Sequence, residues 1–460
     1  SYFAYMDISG YGVGVYFTNS VASPNSYSNG QVYGSTIRDC GVGILFEGVS
    51  AAGELFANIL IDNCSVGIMD NYNPDVDMGN MNFSHITIHA TDVAVQHDGI
   101  NRMQLANCTI TGGQIINTRG PLSITNCTFE TEGPHISLVS GSVGTIVRGC
   151  SAKDGALEID NAAMCPLDRN DEKVEVDEVD FLTAEQAADK VTKPARNELY
   201  VADVDATGAT DVSKTLQAIL DKVGKEGGGI VFLPAGHYRL EDSVTVPTGV
   251  ELKGAVDIGR IPYNIGTIFK IYNTEGDASV KLKEGAGIVG IVFDYPEQGM
   301  SVDTIKKYPY AVQGQGKDVY VVNVSIRNGY DGVDLMSYRC DNHYVRYLAG
   351  YCFHNVIKVG KGAVGGVISN YQMNCGAWYN GGEDKNGAWP NSPKESDGTM
   401  ASANLVNNLY VQENCDILIV GDVTDQILYD NFNYLGHRGA LFIEENGKSA
   451  SGWNVGNAYD

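Results

Sequence analysis

Positive charge is in short supply in this chain: 31 Lys and Arg stand against 56 Asp and Glu, a net charge of −25 with a pI near 4.6. Nucleic acids and anionic membrane surfaces reward a basic face, so both are excluded as partners. No apolar run is long enough to span a membrane. The ten cysteines follow no zinc-site spacing. Tryptophan is rare, with three residues, and two of them, Trp378 and Trp389, fall in one short stretch. Hydrophobic content of 43% and a mean hydropathy of −0.13 fit a globular chain with a large core, long enough for two to three domains.

What the chain does contain is repetition. STIRDCGVGIL from Ser35, ILIDNCSVGIM from Ile59, ITIHATDVAV from Ile86, CTITGGQII from Cys108 and CTFETEGPHI from Cys127 align by eye. Their apolar positions Ile37, Ile61, Ile88, Ile110 and Phe129 recur every 19 to 27 residues. The cadence resumes with VSIRNGYDGVDL from Val324, a strand near Val345 and GGVISNYQM from Gly365. An ordinary parallel sheet needs a crossover helix between successive strands, and none is written here. Cys40 and Cys64 share one repeat position, and Cys108, Cys127 and Cys150 share a neighbouring one. Such columns predict stacked, buried thiols, not disulfides.

Between the two repeat regions, ELYVADVDATGATDVSKTLQAILDKVGKEGGGIVFLPAGHYRL (198–240) reads as strand, turns, one amphipathic helix, a glycine run and a strand. Asp211 is placed to cap the helix, with Val212, Leu216, Ile219, Leu220 and Val223 on one side. Gly227 to Gly229 end it before the apolar run Ile230 to Leu233. This segment resembles the opening of the pectate-lyase-like right-handed parallel β-helices, as in glycoside hydrolase families 28 and 55 and phage tailspikes. The resemblance implies an all-β fold: two tandem β-helices, 1–160 and 198–460, with a short capping helix before the second. The stretch 161–197, with its acidic run Asp171 to Asp180 and a helical pattern at 183–191, breaks the cadence and reads as a linker or bridge. Ser1 falls inside a repeat, so the expectation is that a further N-terminal part of the same protein precedes it and partners this chain. The Asn-, Gly-, Ser- and Tyr-rich composition points to an extracellular or cell-surface protein.

Proteins of this kind bind extended sugars along a side groove, where the rhythm is interrupted. The acidic charge disfavours polyanionic glycans unless calcium bridges the charges, so the expected substrate is a neutral oligo- or polysaccharide. The largest interruption runs from 374 to 404 and carries Trp378, Tyr379 and Trp389, aromatics suited to stacking on sugar rings. Asp331 and Asp334 are the first catalytic candidates, because NGYDGVDLMS puts acids where an N-terminal repeat reads CGVGIL. The phrase resembles the Asp-Asp repeat of the polygalacturonase-like family 28 hydrolases, with His354 one repeat later. It differs from that family in Tyr330, which replaces the first acid, and in Cys352-Phe353-His354, which replaces Gly-His-Gly.

Register partners lie roughly 4.8 Å apart and alternate residues of a strand about 6.6 Å. Retaining glycosidases separate their carboxyls by about 5–5.5 Å and inverting ones by roughly 6.5–9.5 Å, so either spacing is reachable. Asp341, beside Arg339 and His343, is the candidate partner acid. The two-unit layout resembles family 55 exo-β-1,3-glucanases, which use a glutamate of the second unit; by position that implies Glu413 or Glu444, with His437 and Arg438 nearby to orient a hydroxyl. The activity expected is that of a glycoside hydrolase without a metal or other cofactor. The alternatives are a polysaccharide lyase, which would call for calcium, and a non-catalytic glycan-binding adhesin.

Overall fold

The computed structural model describes residues 2–18, 27–28, 31–48, 50–73, 79–153, 155–175, 194–255, 266–299, 304–374, 410–434, 436–455 and 457–459. The chain divides into two compact units, Ser1–Ala188 and Asp189–Asp460. Strands dominate both, and every strand ladder among the described residues is parallel. No helix among the described residues is long and apolar enough to cross a membrane.

In the first unit, strands β1 (Thr36–Arg38), β2 (Leu60–Asn71), β3 (Thr87–His97), β4 (Thr109–Gly112) and β5 (Thr128–Phe129) pair in sequence order. Ile37, Ile61, Ile88, Ile110 and Phe129 are successive register partners, all fully buried. The repeat seen in the sequence is therefore a column of side chains stacked through the core. The thiols follow the same rule. The nine described cysteines are free and buried, and the Cys108 and Cys127 amides donate to Cys127 Sγ and Cys150 Sγ, each at 3.4 Å.

A second column lies at the turns. Gly34, Asn58, His85, Asn107, Asn126 and Gly149 all adopt left-handed φ between 53° and 62°. Each amide donates to a carbonyl one repeat later, as from Asn107 to Thr125 and from Asn126 to Arg148. Asn and Gly tolerate this conformation best, which explains their recurrence just before the buried column. Asn126 also exchanges two hydrogen bonds with the Val174 backbone, at 2.8 and 3.0 Å. The cadence runs past its expected end at residue 160, because Leu167–Asn170 pairs in parallel with Thr145–Arg148. The acidic run beyond 175 and the helical pattern at 183–191 lie outside the described residues.

In the second unit the helix α1 (Ser213–Lys225) buries Leu216, Leu220 and Val223 against Val231, Leu233, Val244 and Val250, with Ile219 half-buried at its edge. Its N-cap is Val212, not Asp211. Asp211 instead accepts from the Ser213 amide and hydroxyl and from the Glu241 amide, tying the helix start to the strand region below. The strands that carry the site are β6 (Ala278–Leu282), β7 (Tyr310–Gly314), β8 (Tyr320–Leu335), β9 (Tyr344–Val359), β10 (Asp416–Val420) and β11 (Arg438–Phe442), paired in parallel one after the next.

Asn126→Gly should keep the turn but lose both Val174 hydrogen bonds, at a cost of about 1–3 kcal/mol. Asn126→Ala should cost about 1 kcal/mol more, because alanine resists left-handed φ. Urea unfolding of the two variants separates the terms; equal losses would refute the turn contribution.

Candidate functional site

A cavity of about 360 Å³ opens on the outer side of β7 and β8, within the usual size range of small-ligand pockets. Tyr308, Tyr310 and Tyr330 supply its aromatic surface. Asp277, Asp331 and Asp334 supply its charge, with Lys307 and Gln313 also on the wall.

Asp331 and Asp334 share this cavity although they are three apart on β8, where strict alternation would send them to opposite faces. The strand departs from alternation here, and so do its neighbours. Ala311 and Val312 are both buried in the core between the wall residues Tyr310 and Gln313. Val356 and Ile357 repeat the pattern between Asn355 and Lys358, and Ile417 with Leu418 between Asp416 and Ile419. Gly332 is required between the acids, since a Cβ there would stand 2.3 Å from the Val356 carbonyl oxygen.

The two carboxylates have different surroundings. Asp334 is 1% exposed. Its Oδ1 accepts from the Met336 and Ser337 amides, both at 3.0 Å, and its Oδ2 from Gln313 Nε2 at 2.9 Å. Lys358 Nζ lies 3.5 Å from Oδ1 and 4.4 Å from the centre of the Tyr310 ring. Burial pushes the Asp334 carboxyl up, but the hydrogen bonds from Ser337, Gln313 and Met336 outweigh it and hold the group below the usual carboxylate range. Asp334 is thus a fixed negative charge.

Asp331 is 13% exposed at its side chain and receives three donors on Oδ1: His354 Nδ1 at 2.9 Å, the Asn355 amide at 3.1 Å and Asn355 Nδ2 at 3.1 Å. Its Oδ2 takes none of these. With Nδ1–H given to the carboxylate, His354 keeps Nε2 as the nitrogen available for proton exchange. The imidazole stacks on Tyr330, with ring centroids 5.1 Å apart and planes inclined by 22°. Burial, Tyr410 and Asp331 push the Tyr330 phenol up to about 12, and burial takes Tyr308 up to about 12 as well. Both remain neutral hydroxyls near neutral pH.

The other candidates lie elsewhere in the unit. Asp341 is bound to Arg339 Nε at 2.9 and 3.0 Å and accepts from the Val364 amide at 2.9 Å, so it is a turn acid that holds chain. His343 is 1% exposed and donates from Nδ1 to the Cys340 carbonyl at 2.7 Å, while burial pushes its pKa down; it has no surface for a substrate. Glu413 is exposed in a helical turn, 410–414. Arg438 is engaged by Asp416 at 2.6 and 2.7 Å, and His437 Nδ1 meets the Gln412 carbonyl at 3.1 Å. Glu444 is exposed near the end of the last strands; its neighbour Glu445 accepts from the Lys361 and Asp422 amides.

Trp378, Tyr379 and Trp389 lie outside the described residues, but the ends of their segment do not. The chain leaves β9 at Gln372–Asn374, paired beside Ala349 and Gly350, and rejoins it at Asp416, paired beside Asn355. Tyr410, the first described residue after the gap, has its phenol near that of Tyr330. The interruption therefore ends beside Tyr330 of the cavity wall.

Sequence reasoning missed Tyr308, Tyr310, Gln313 and Asp277, which come from earlier strands; the only available signal was the aromatic pair in Tyr308-Pro-Tyr310. Among the described residues no group of three or more His, Cys, Asp or Glu is arranged to hold a metal ion. No family model matches the chain, and no curated protein matches it.

Asp334→Asn should destabilise the protein by about 1–3 kcal/mol, since an amide nitrogen cannot accept from the donors that converge there. A depressed carboxyl contributes stability above its unfolded value, about 3.9, and that contribution is lost as pH falls through the lower folded value. The variant should therefore differ most from wild type above pH about 4 and converge with it in stronger acid, as read by thermal melts across pH.

Proposed function

We propose that this chain is a pair of right-handed parallel β-helices of the pectate-lyase-like type, acting outside the cell as a glycoside hydrolase on a neutral oligo- or polysaccharide. The fold reading is supported by parallel pairing between residues one repeat apart with no crossover helix between them. One observation carries the activity: a sugar-sized cavity walled by three tyrosines holds Asp331 and Asp334, with His354 bound to the first. Tyrosine faces accept the C–H faces of pyranoses, and the amide of Gln313 and the phenols offer partners to hydroxyls. Three carboxylates against Lys307 and Lys358 leave the wall net negative, which opposes uronic acids and favours uncharged rings.

The chemistry divides between the two acids. Glycosidic cleavage passes through an oxocarbenium-like transition state, whose positive charge Asp334 stabilises by staying ionised. The Asp331–His354 pair moves the proton: it is given to the leaving glycosidic oxygen, and an equal proton is regained from the water that attacks the anomeric carbon. The three-residue step from Asp331 to Asp334 spans about 10 Å of strand, enough for a sugar and a water to lie between their carboxyl groups.

The test is incubation with a panel of neutral and acidic glycans, reading reducing ends and unsaturated product in parallel, with and without a calcium chelator. New reducing ends on a neutral glycan, reduced about 10²- to 10⁴-fold in Asp331→Asn at an unchanged melting temperature, are expected. Chelator-sensitive unsaturated product would replace the hydrolase with a lyase, and silence on every glycan would replace it with a binding module.

A further inference from the structure

Tyr330 stands at the position where the first acid of the resembling repeat would be, and its surroundings give it a role of its own. The ring lies nearly parallel to the His354 imidazole, with centroids 5.1 Å apart. Its phenol lies near that of Tyr410, whose own ring packs edge-on against Phe353 at 6.0 Å. Phe353 immediately precedes His354 and is 3% exposed. The half-exposed histidine is therefore braced on one ring face by Tyr330 and on its Nδ1 edge by Asp331.

We propose that Tyr330 is a positioning residue for the Asp331–His354 pair: its ring, stacked on the imidazole, fixes the imidazole plane so that Nδ1 stays on Asp331 and Nε2 remains the proton-exchanging atom. A surface histidine side chain, 46% exposed, would otherwise sample several orientations, most of which break the 2.9 Å contact. The role rests on the hydrolase reading only for its kinetic consequence; the physical coupling between Tyr330 and His354 does not.

The charged and titratable groups around His354 are few. Asp331 and Tyr330 approach from β8, and Tyr410 and the exposed Glu413 belong to the 410–414 turn. On the far side, β10 presents Asp416, already engaged by Arg438, and His437 is held by the Gln412 carbonyl.

The experiment follows the His354 ring by NMR across pH in the whole chain, assigned by its loss in His354→Gln, alongside kcat and KM on the glycan found active. In Tyr330→Leu the titration of His354 should fall by about half a pH unit, the limb of the kcat profile it governs should move with it, and kcat should drop about 10- to 100-fold. Tyr330→Phe should restore the wild-type titration, and Tyr410→Phe should give a smaller displacement in the same direction. Tyr330→Leu combined with His354→Gln should be no slower than His354→Gln alone. An unchanged titration in Tyr330→Leu, or additive losses in the double variant, would overturn the positioning role while leaving the hydrolase standing. Should no glycan be cleaved by the wild type, the hydrolase falls, and the titration alone still decides whether Tyr330 governs His354; if Tyr330→Leu fails to fold, Tyr410→Phe decides it.

Discussion

Parallel backbone pairing between positions one repeat apart binds each residue to the character of its register partners. A hydrogen-bonded ladder of this kind repeats at about 4.8 Å, so an inward position in one repeat must be inward in the next, and a polar intruder disturbs a whole column. Ile37, Ile61, Ile88, Ile110 and Phe129 obey this in the first unit, as Val312, Val333, Ile357 and Leu418 do in the second. The left-handed turn residues from Gly34 to Gly149 carry the same ladder around a corner, where only a few residue types sit without strain.

The site is an outcome of the same constraint. Two buried residues between two outward ones, repeated on β7, β8, β9 and β10, bring Asp331 and Asp334 to one wall and align them with Tyr310, Gln313, Asn355 and Lys358. Asn355 and Lys358 each meet the acid they pair with: Asn355 donates to Asp331, and the Lys358 ammonium stands beside Asp334. Lys358 reaches back over the Tyr310 ring, joining the two ends of the wall. The acids thus differ in environment because their register partners differ.

Much of this was written plainly in the chain. The repeat spacing, the stacked thiols and the apolar helix face each depend on residues close in sequence, or on a period a reader can count. Asp331 and Asp334 stood out because acids replaced small and apolar residues in an aligned repeat. Asp341 and Asp331 are both acids of the same repeat region in the text; only packing tells that one closes a turn with Arg339 while the other faces a cavity. His343 and His354 differ in the same way, by which side of the strand corner each occupies. The tyrosines of β7 and the segment before it were illegible because they are brought to the acids by pairing across twenty or more residues, and because two inward residues in succession break the alternation from which facing is normally read.

The departure and return of the chain on β9 bear on how such a protein can change. Residues 375–409 are bracketed by Gln372–Asn374 and Asp416–Val420, both of which pair with the same strand, so the ends are held together whatever lies between them. Closing a loop costs only about 0.6 kcal/mol more for each doubling of its length. The pairing on either side is complete without that stretch, so a change in its length falls outside the ladder that holds the unit.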